Sequence, residues 1–246
     1  GKHGPNDFSA LGDAARKEAV KKGAAYMNVW MYIVREFEDA IDDCLTCTSN
    51  CNDYSTGSVH AWDEGVAFYT GSLEGEDEGS DSGGKLVYRL AEKRCANFGT
   101  CGLNGDATSG TSQVNLALFP LFAQGRDMLQ QGHCADVRPI VNKIVSLMTV
   151  PLVQGTLRYA YKIGLVPSDR SVKNAAEGST FSAAVLPLVA NCDATAAETV
   201  SNQMKFGVYP STFSDFVTVK SALESTYRCL GITCAQVGAL QSSDGT

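Results

Sequence analysis

One stretch of the sequence, Ser58–Ser72 (SVHAWDEGVAFYTGS), constrains the fold more than any other because it reads as a helix with two distinct faces. His60, Asp63 and Glu64 are spaced i, i+3 and i+4, so on a helix their side chains project from one side. At about 100° per residue, the opposite side carries the apolar side chains of Trp62, Val66, Tyr69 and Leu73. An imidazole beside carboxylates is a ligand set suited to zinc, iron or manganese. The alternative is a partly buried histidine that is satisfied by the glutamate four residues later.

Helical periodicity extends along the rest of the chain, and strand-like alternation is nearly absent, so the sequence predicts an all-α protein. Ser58 is predicted to cap the helix of the opening segment. Residues 74–84, rich in Glu, Asp, Gly and Ser, are predicted to form an acidic loop. The other predicted helices cover residues 8–44 (as one or two helices), 85–97, 113–131, 137–163, 171–188, 194–206 and 215–230.

The opening segment has a second, weaker copy. Residues 58–68 and 171–181 align without gaps and share Ser-Val, Glu-Gly and Phe at equal spacing. This similarity predicts two pseudo-repeated helical bundle halves packed together, at residues 1–110 and 111–246.

The two copies differ in the residues that carry chemistry. In the second copy Lys173 replaces His60 and Ala176 replaces Asp63, and only Glu177 keeps its acid. If the halves pack about a pseudo-twofold axis, we therefore expect one site supplied by both halves rather than two equivalent sites.

Residues of two further helices are candidates to complete such a site. Glu38 projects about 60° from the centre of the apolar stripe that runs from Met27 to Ile41, so it is the acid predicted to point inward. A buried carboxylate is costly unless it is paired or metal-bound, and the alternative is an ion pair with a base. In the second half, Tyr159 and Tyr161 flank an apolar stripe. Phenolate oxygens are good ligands for a ferric ion, and Arg158 beside them suits a small anion, although such tyrosines are also common in plain helical cores.

Composition and motifs exclude several classes of function. A net charge of −7 and a pI near 5.0 argue against a nucleic-acid partner. The sequence contains no glycine-rich phosphate loop, GxSxG elbow or HExxH motif, which argues against an NTPase, a serine hydrolase and a zincin. No run of about 20 apolar residues is present, so no transmembrane segment is expected. Export signals are expected to have been removed before Gly1.

Nine cysteines with only one CxxC spacing favour an oxidised, exported protein over a cytosolic zinc module. The odd number leaves one thiol free or paired between chains. Although spacing does not determine connectivity, the expected bridges are Cys95–Cys101, Cys229–Cys234, Cys134–Cys192 and one within the cluster Cys44, Cys47 and Cys51.

The run His60–Ser72 (HAWDEGVAFYTGS) resembles the algal iron-assimilation protein family. These are low-iron-inducible periplasmic proteins, also described as high-CO2-responsive, to which phytotransferrins are related. The chain is similar, more distantly, to the imelysin-like group of duplicated helical bundles with a GxHxxE metal motif. It departs from that motif because Ser58 stands where the glycine is expected.

The resemblance implies a periplasmic or secreted protein that is not an enzyme and that captures iron for high-affinity uptake under iron limitation. It implies iron as Fe3+ or Fe2+, carbonate as a candidate co-bound anion, and zinc as a candidate surrogate. A cell-surface iron reductase or permease is the implied partner. An imelysin-type metal-dependent hydrolase and a structural periplasmic protein without a metal are the alternatives. The expected metal ligands are His60, Glu64, Asp63, Glu38, Tyr159, Tyr161 and Glu177, with Arg158 for the anion.

Overall fold

The computed structural model describes residues 2–3, 6–9, 11–49, 53, 55–71 and 85–241, and it confirms the predicted all-α class. The strands in this part of the chain are one antiparallel pair of two residues each, Lys2–His3 with Asn6–Asp7. The acidic loop predicted at residues 74–84 lies outside the described residues.

Helices form almost all of the regular structure. Ala24–Val29 is a π-helical segment between the first two α-helices, and Pro167–Asp169 is a single 3-10 turn. Each predicted helical segment overlaps one or two of the observed helices, and the short α11 was not predicted. In chain order the helices are α1 (Asp13–Gly23), α2 (Trp30–Thr46), α3 (Ser58–Thr70), α4 (Leu86–Phe98), α5 (Gln113–Gln130), α6 (Cys134–Leu165), α7 (Val172–Cys192), α8 (Ala194–Met204), α9 (Phe216–Glu224), α10 (Tyr227–Leu230) and α11 (Cys234–Val237).

Short polar side chains and glycines set several helix ends. The prediction that Ser58 caps α3 is wrong, because Gly57 occupies the cap and Ser58 is a fully buried first residue of the helix. Gly71 ends α3 with a φ of 65°, and its N–H donates to the carbonyl of Ala67, a left-handed termination that suits glycine. Side-chain oxygens accept backbone N–H groups at the caps Ser112, Ser171, Asp193 and Asp215.

The chain divides into two compact units. The first unit comprises Gly1–Met27 and Thr149–Leu240, and the second unit comprises Asn28–Met148 and Gln241–Thr246. These bounds differ from those of the sequence halves 1–110 and 111–246, whose origin by duplication stays a prediction.

The second unit is built around the helix pair α2–α3. Phe37 is fully buried on α2, with its ring centroid 4.5 Å from that of Trp62 on α3 and 5.9 Å from that of Phe122 on α5. Trp62 Nε1 donates to the carbonyl oxygen of Phe122 at 2.9 Å. A Cβ at Gly125 would lie 2.0 Å from the Trp62 ring, so this glycine makes room for the indole.

The first unit is built around α7, which packs on both α1 and α8. Phe181 of α7 is buried between Tyr26 and Tyr159, with ring centroids 5.3 and 5.8 Å away. Gly155 makes room for the ring of Phe181, and Gly178 lets α7 approach Tyr159, since a Cβ at these positions would lie 2.6 Å from the Phe181 ring and 2.8 Å from the Cβ of Tyr159. Aromatic stacking across small residues therefore holds this core.

The disulfides differ from the predicted set. Cys95–Cys101 is confirmed, and Cys234 is the cysteine of the described residues that forms no bridge within the chain. The predicted pairs Cys229–Cys234 and Cys134–Cys192 are wrong. The observed bridges are Cys44–Cys134, between α2 and α6, and Cys192–Cys229, between α7 and α10.

The physical reason for these corrections is that a disulfide requires Cα atoms about 4.4–6.8 Å apart, which helix packing decides and sequence spacing does not. The Cα atoms of Cys44 and Cys134 are 5.5 Å apart although 90 positions separate them. Cys47 is also disulfide-bonded. The prediction also placed one bridge within the cluster Cys44, Cys47 and Cys51. Cys44 is not part of such a bridge, because it is bonded to Cys134. Any pairing that involves Cys51 lies outside the described residues.

Helix α6 alone among the described helices is long and apolar enough to cross a membrane. Its most apolar window has a mean hydropathy of 1.3, and 78% of that window is buried inside the protein. Such burial is typical of a core helix, which passes the same test of length and composition.

Candidate metal site

The candidate site lies on the helix pair α2–α3, where a glycine allows the helices to approach closely. A Cβ at Gly65 would lie 2.7 Å from the ring of Phe37. Carbon atoms in ordinary contact are about 3.5–4.0 Å apart, so a larger residue does not fit here without movement. This close approach sets α3 against the polar side chains of α2.

Four polar side chains form what we term the acidic cluster: Tyr32 and Glu36 from α2, and His60 and Glu64 from α3. Each helix contributes a pair spaced i, i+4. His60 Nε2 lies 3.6 Å from Glu64 Oε1, and the two side chains are 44% and 46% exposed. Tyr32 is within hydrogen-bonding reach of the Glu36 carboxylate, and Glu64 is near enough for its charge to act on both.

Glu36 is the most enclosed member of the acidic cluster, with 6% of its surface exposed. Burial raises the pKa of the Glu36 carboxyl, the hydrogen bond from Tyr32 lowers it, and the charges of Glu64 and Asp39 raise it further. The hydrogen bond to Glu36 also raises the pKa of the Tyr32 hydroxyl. Arg35 has a weaker, opposing effect on the pKa of Glu36 and is paired with Asp39 at 2.8 Å. Within the described residues, no lysine or arginine forms an ion pair with Glu36 or Glu64.

Glu38 is not the inward-pointing acid that the sequence pattern predicted. Its side chain is 39% exposed and pairs with Arg138 of α6, which is the ion-pair alternative for this residue. The hydrogen bond to Glu38 also raises the pKa of the Arg138 guanidinium.

The pattern selected Glu38 and overlooked Glu36 because the buried face of α2 extends further to one side than the predicted apolar stripe. That stripe omitted Ile33 and Ala40, which are fully buried on the same side of α2 as Glu36. Met27, at the start of the predicted stripe, lies in the π-helical segment before α2. One sequence signal was available, because Tyr32 and Glu36 have the same i, i+4 spacing as His60 and Glu64.

Asp63, the remaining candidate from the opening motif, is exposed on α3. It lies one residue before Glu64 and therefore projects about 100° away from it around the helix. As a ligand it stays a prediction.

Two predicted ligands in the first unit, Tyr159 and Glu177, contact each other. The Tyr159 hydroxyl donates a hydrogen bond to Glu177 Oε2, and Glu177 is 7% exposed. Lys22 Nζ lies 3.6 Å from the same carboxylate oxygen. The structure therefore brings these two residues together, but with an ammonium group already beside them.

The other two predicted residues of the first unit have different surroundings. Tyr161 is half-buried and packs edge-to-face on Phe216, with centroids 5.5 Å apart. Arg158 is half-buried, and its enclosed Nε has no hydrogen-bond partner among the described residues. A site to which both units contribute stays a prediction.

No three His, Cys, Asp or Glu side chains in the described part of the chain are already arranged to hold a metal ion. Glu36, His60 and Glu64 supply the right donor atoms, but binding requires them to turn toward a common point. His60 and Glu64 are exposed enough to do so, while Glu36 is held by its surroundings.

Comparison with known proteins gives one match. No curated protein and no solved structure matches the chain. The family model described as low iron-inducible periplasmic protein matches residues 7–246, which is nearly the whole chain. This description agrees with the predicted periplasmic location and with a role in iron assimilation. The chain therefore belongs to the Fea1 family of low iron-inducible periplasmic proteins.

Proposed function

We propose that this protein captures iron for uptake under iron limitation, and that the acidic cluster is where the ion binds. The observation that carries the proposal is a pair of carboxylates and an imidazole on one helix pair, with no lysine or arginine of the described residues paired to either carboxylate. The family description, a periplasmic protein induced by low iron, favours iron as the cargo.

The donor types of the acidic cluster suit iron. Carboxylate oxygens and a neutral imidazole bind Fe2+ and Fe3+, and the phenol of Tyr32 adds an oxygen donor that suits Fe3+ once it is deprotonated. We propose that Glu36 is the fixed ligand and that His60 and Glu64 swing from their half-exposed positions to close around the ion. Both side chains begin on the same face of α3, with His60 Nε2 3.6 Å from Glu64 Oε1.

Because Glu36 is buried, a cation that binds beside it should stabilise the folded protein. Burial disfavours the ionised carboxylate and so raises the pKa of the Glu36 carboxyl. A bound metal ion compensates the negative charge of the carboxylate, and the ligands must lose their protons for the ion to bind. Iron should therefore bind near neutral pH and be released in acid, which provides a route for delivery into an acidified compartment.

The proposal is tested by titrating ferric citrate and ferrous iron into the purified protein and into Glu36→Gln, His60→Ala and Glu38→Gln. We expect the first two variants to lose binding. Glu38→Gln is the matched control, because it removes a carboxylate two residues away on the same helix that is half-exposed and paired with Arg138.

Two outcomes would overturn the proposal. If Glu36→Gln binds iron as tightly as the wild type, the acidic cluster is not the site. If the iron-loaded or zinc-loaded protein turns over a peptide substrate continuously, the function is hydrolysis and not capture.

A further inference from the structure

The first unit contains a second cluster with the same arrangement, which we term the lysine cluster. Helix α1 contributes Glu18 and Lys22, and helix α7 contributes Lys173 and Glu177. Each pair is spaced i, i+4, as in the acidic cluster, and the sequence alignment places Glu177 at the position of Glu64.

An ammonium group lies between the two carboxylates of the lysine cluster. Lys22 Nζ is 3.5 Å from Glu18 Oε2 and 3.6 Å from Glu177 Oε2. The three side chains are largely enclosed, with 18%, 14% and 9% of their surfaces exposed. Lys173 is more exposed and lies 3.9 Å from the other oxygen of Glu18. The carboxylates therefore converge on a cation that the chain itself supplies.

The charges of the two clusters differ accordingly. Two lysines pair with the two glutamates of the lysine cluster, whereas no lysine or arginine of the described residues is paired with Glu36 or Glu64, which have His60 and Tyr32 beside them. Enclosed carboxylates are costly unless a positive charge compensates them. The lysine cluster meets this requirement internally, whereas no lysine or arginine of the described residues is paired with the enclosed Glu36.

We propose, resting on the proposed function, that Lys22 determines how many ions the protein takes. Its ammonium group is the built-in cation of the first unit, so that the wild-type chain captures one ion, at the acidic cluster. Removing the ammonium group opens a second cation site of the same donor class, formed by Glu18, Glu177 and the hydroxyl of Tyr159, which already donates to Glu177.

The test is the number of ions bound per chain, measured with ferric citrate and separately with Zn2+. We expect one ion for the wild type and two for Lys22→Met, which keeps the length of the side chain but removes its charge. Lys22→Arg keeps the charge and should bind one ion. Lys22→Met combined with Glu177→Gln removes the second carboxylate and should also return to one ion.

The same measurement separates this inference from the proposed function. A wild type that binds no ion refutes capture at the acidic cluster, yet a gain of one ion in Lys22→Met over the wild type still supports the role of Lys22. Equal numbers of ions in the wild type and Lys22→Met overturn the role of Lys22, whether or not the wild type binds iron.

Lys22→Met leaves the enclosed Glu177 without its cation, so its folding is measured in parallel by circular dichroism. Added Zn2+ should raise the melting temperature of Lys22→Met more than that of the double variant, because only the single variant retains both carboxylates. If Lys22→Met stays unfolded with the ion present, or if the ion raises both melting temperatures equally, the inference is wrong.

Discussion

Replacing Gly65 by alanine should lower stability and iron affinity together, because this glycine sets the distance between α2 and α3. The added Cβ would lie 2.7, 2.9 and 3.2 Å from three ring atoms of Phe37. That ring is fully buried, and it packs against the rings of Trp62 and Phe122, with centroids 4.5 and 5.9 Å away. The ring has little room to move aside, so the helices must separate.

The size of the effect follows from two opposing contributions. Forcing an extra methyl into a packed core costs about 1–3 kcal/mol, and the enclosed ring of Phe37 puts this site near 3. Alanine gains about 1 kcal/mol over glycine in helix propensity. The net loss is about 2 kcal/mol, and at about 2–4 °C per kcal/mol for a chain of this size the melting temperature should fall by about 4–8 °C.

Gly23→Ala is the matched control, because it adds the same methyl group to the last residue of α1 where there is room. The nearest atoms to its Cβ would be side-chain atoms 3.9 and 4.0 Å away, which is ordinary contact. Only the propensity gain of up to about 1 kcal/mol applies there, so this variant should be as stable as the wild type or more stable. Urea unfolding followed by circular dichroism measures both variants, and similar changes for the two would refute the reasoning.

Iron titration of Gly65→Ala then connects packing with function. Separation of the helices moves His60 and Glu64 away from Glu36, so the affinity for ferric iron should fall while the far-ultraviolet spectrum remains helical. Loss of stability with unchanged iron affinity would show that the spacing of α2 and α3 does not shape the site.

The pH dependence of stability should differ between Glu36→Gln and the wild type. Because the folded-state pKa of Glu36 is raised, the wild type loses stability as the pH rises from the ordinary glutamate value of 4.5 through the folded-state pKa, and the glutamine variant escapes this loss. Urea unfolding should therefore show the variant to be the more stable protein at neutral pH, and a less stable variant there would contradict the expectation. Serine substitution of both members of the Cys192–Cys229 bridge should cost about 4 kcal/mol by loop entropy, against about 2 kcal/mol for Cys95–Cys101, because the sequence separations are 37 and 6. Equal losses in unfolding free energy would rule out the entropic explanation. Iron should leave the protein on acidification with uptake of protons, which calorimetry in buffers of different ionisation enthalpy measures; an affinity independent of pH would contradict ligation by carboxylate and imidazole.

Local features of the site were predictable from the sequence. The contact between His60 and Glu64 follows from helix geometry, since residues four apart lie on the same face whatever surrounds them. The bridge between Cys95 and Cys101 is local in the same sense, because the short connection after α4 holds the two cysteines near each other.

Features that depend on distant residues were not predictable. Glu36 became the buried acid, in place of Glu38, because α3 packs on the side of α2 where Glu36 lies, next to the buried Ile33 and Ala40. Glu38 is paired with Arg138, which lies on α6, 100 positions later in the sequence. The bridge between Cys44 and Cys134 depends on that same helix, α6.

The amino-acid sequence by itself determined the helical class, the motif on α3 and the oxidised, exported character of the protein, because periodicity, spacing and cysteine content are properties of short segments or of composition. Only the tertiary structure decided which carboxylates are paired with a positively charged side chain. A charge is neutralised by whatever group lies within a few ångströms, and helix packing brought Lys22 to Glu177 while pairing no lysine or arginine of the described residues with Glu36 or Glu64.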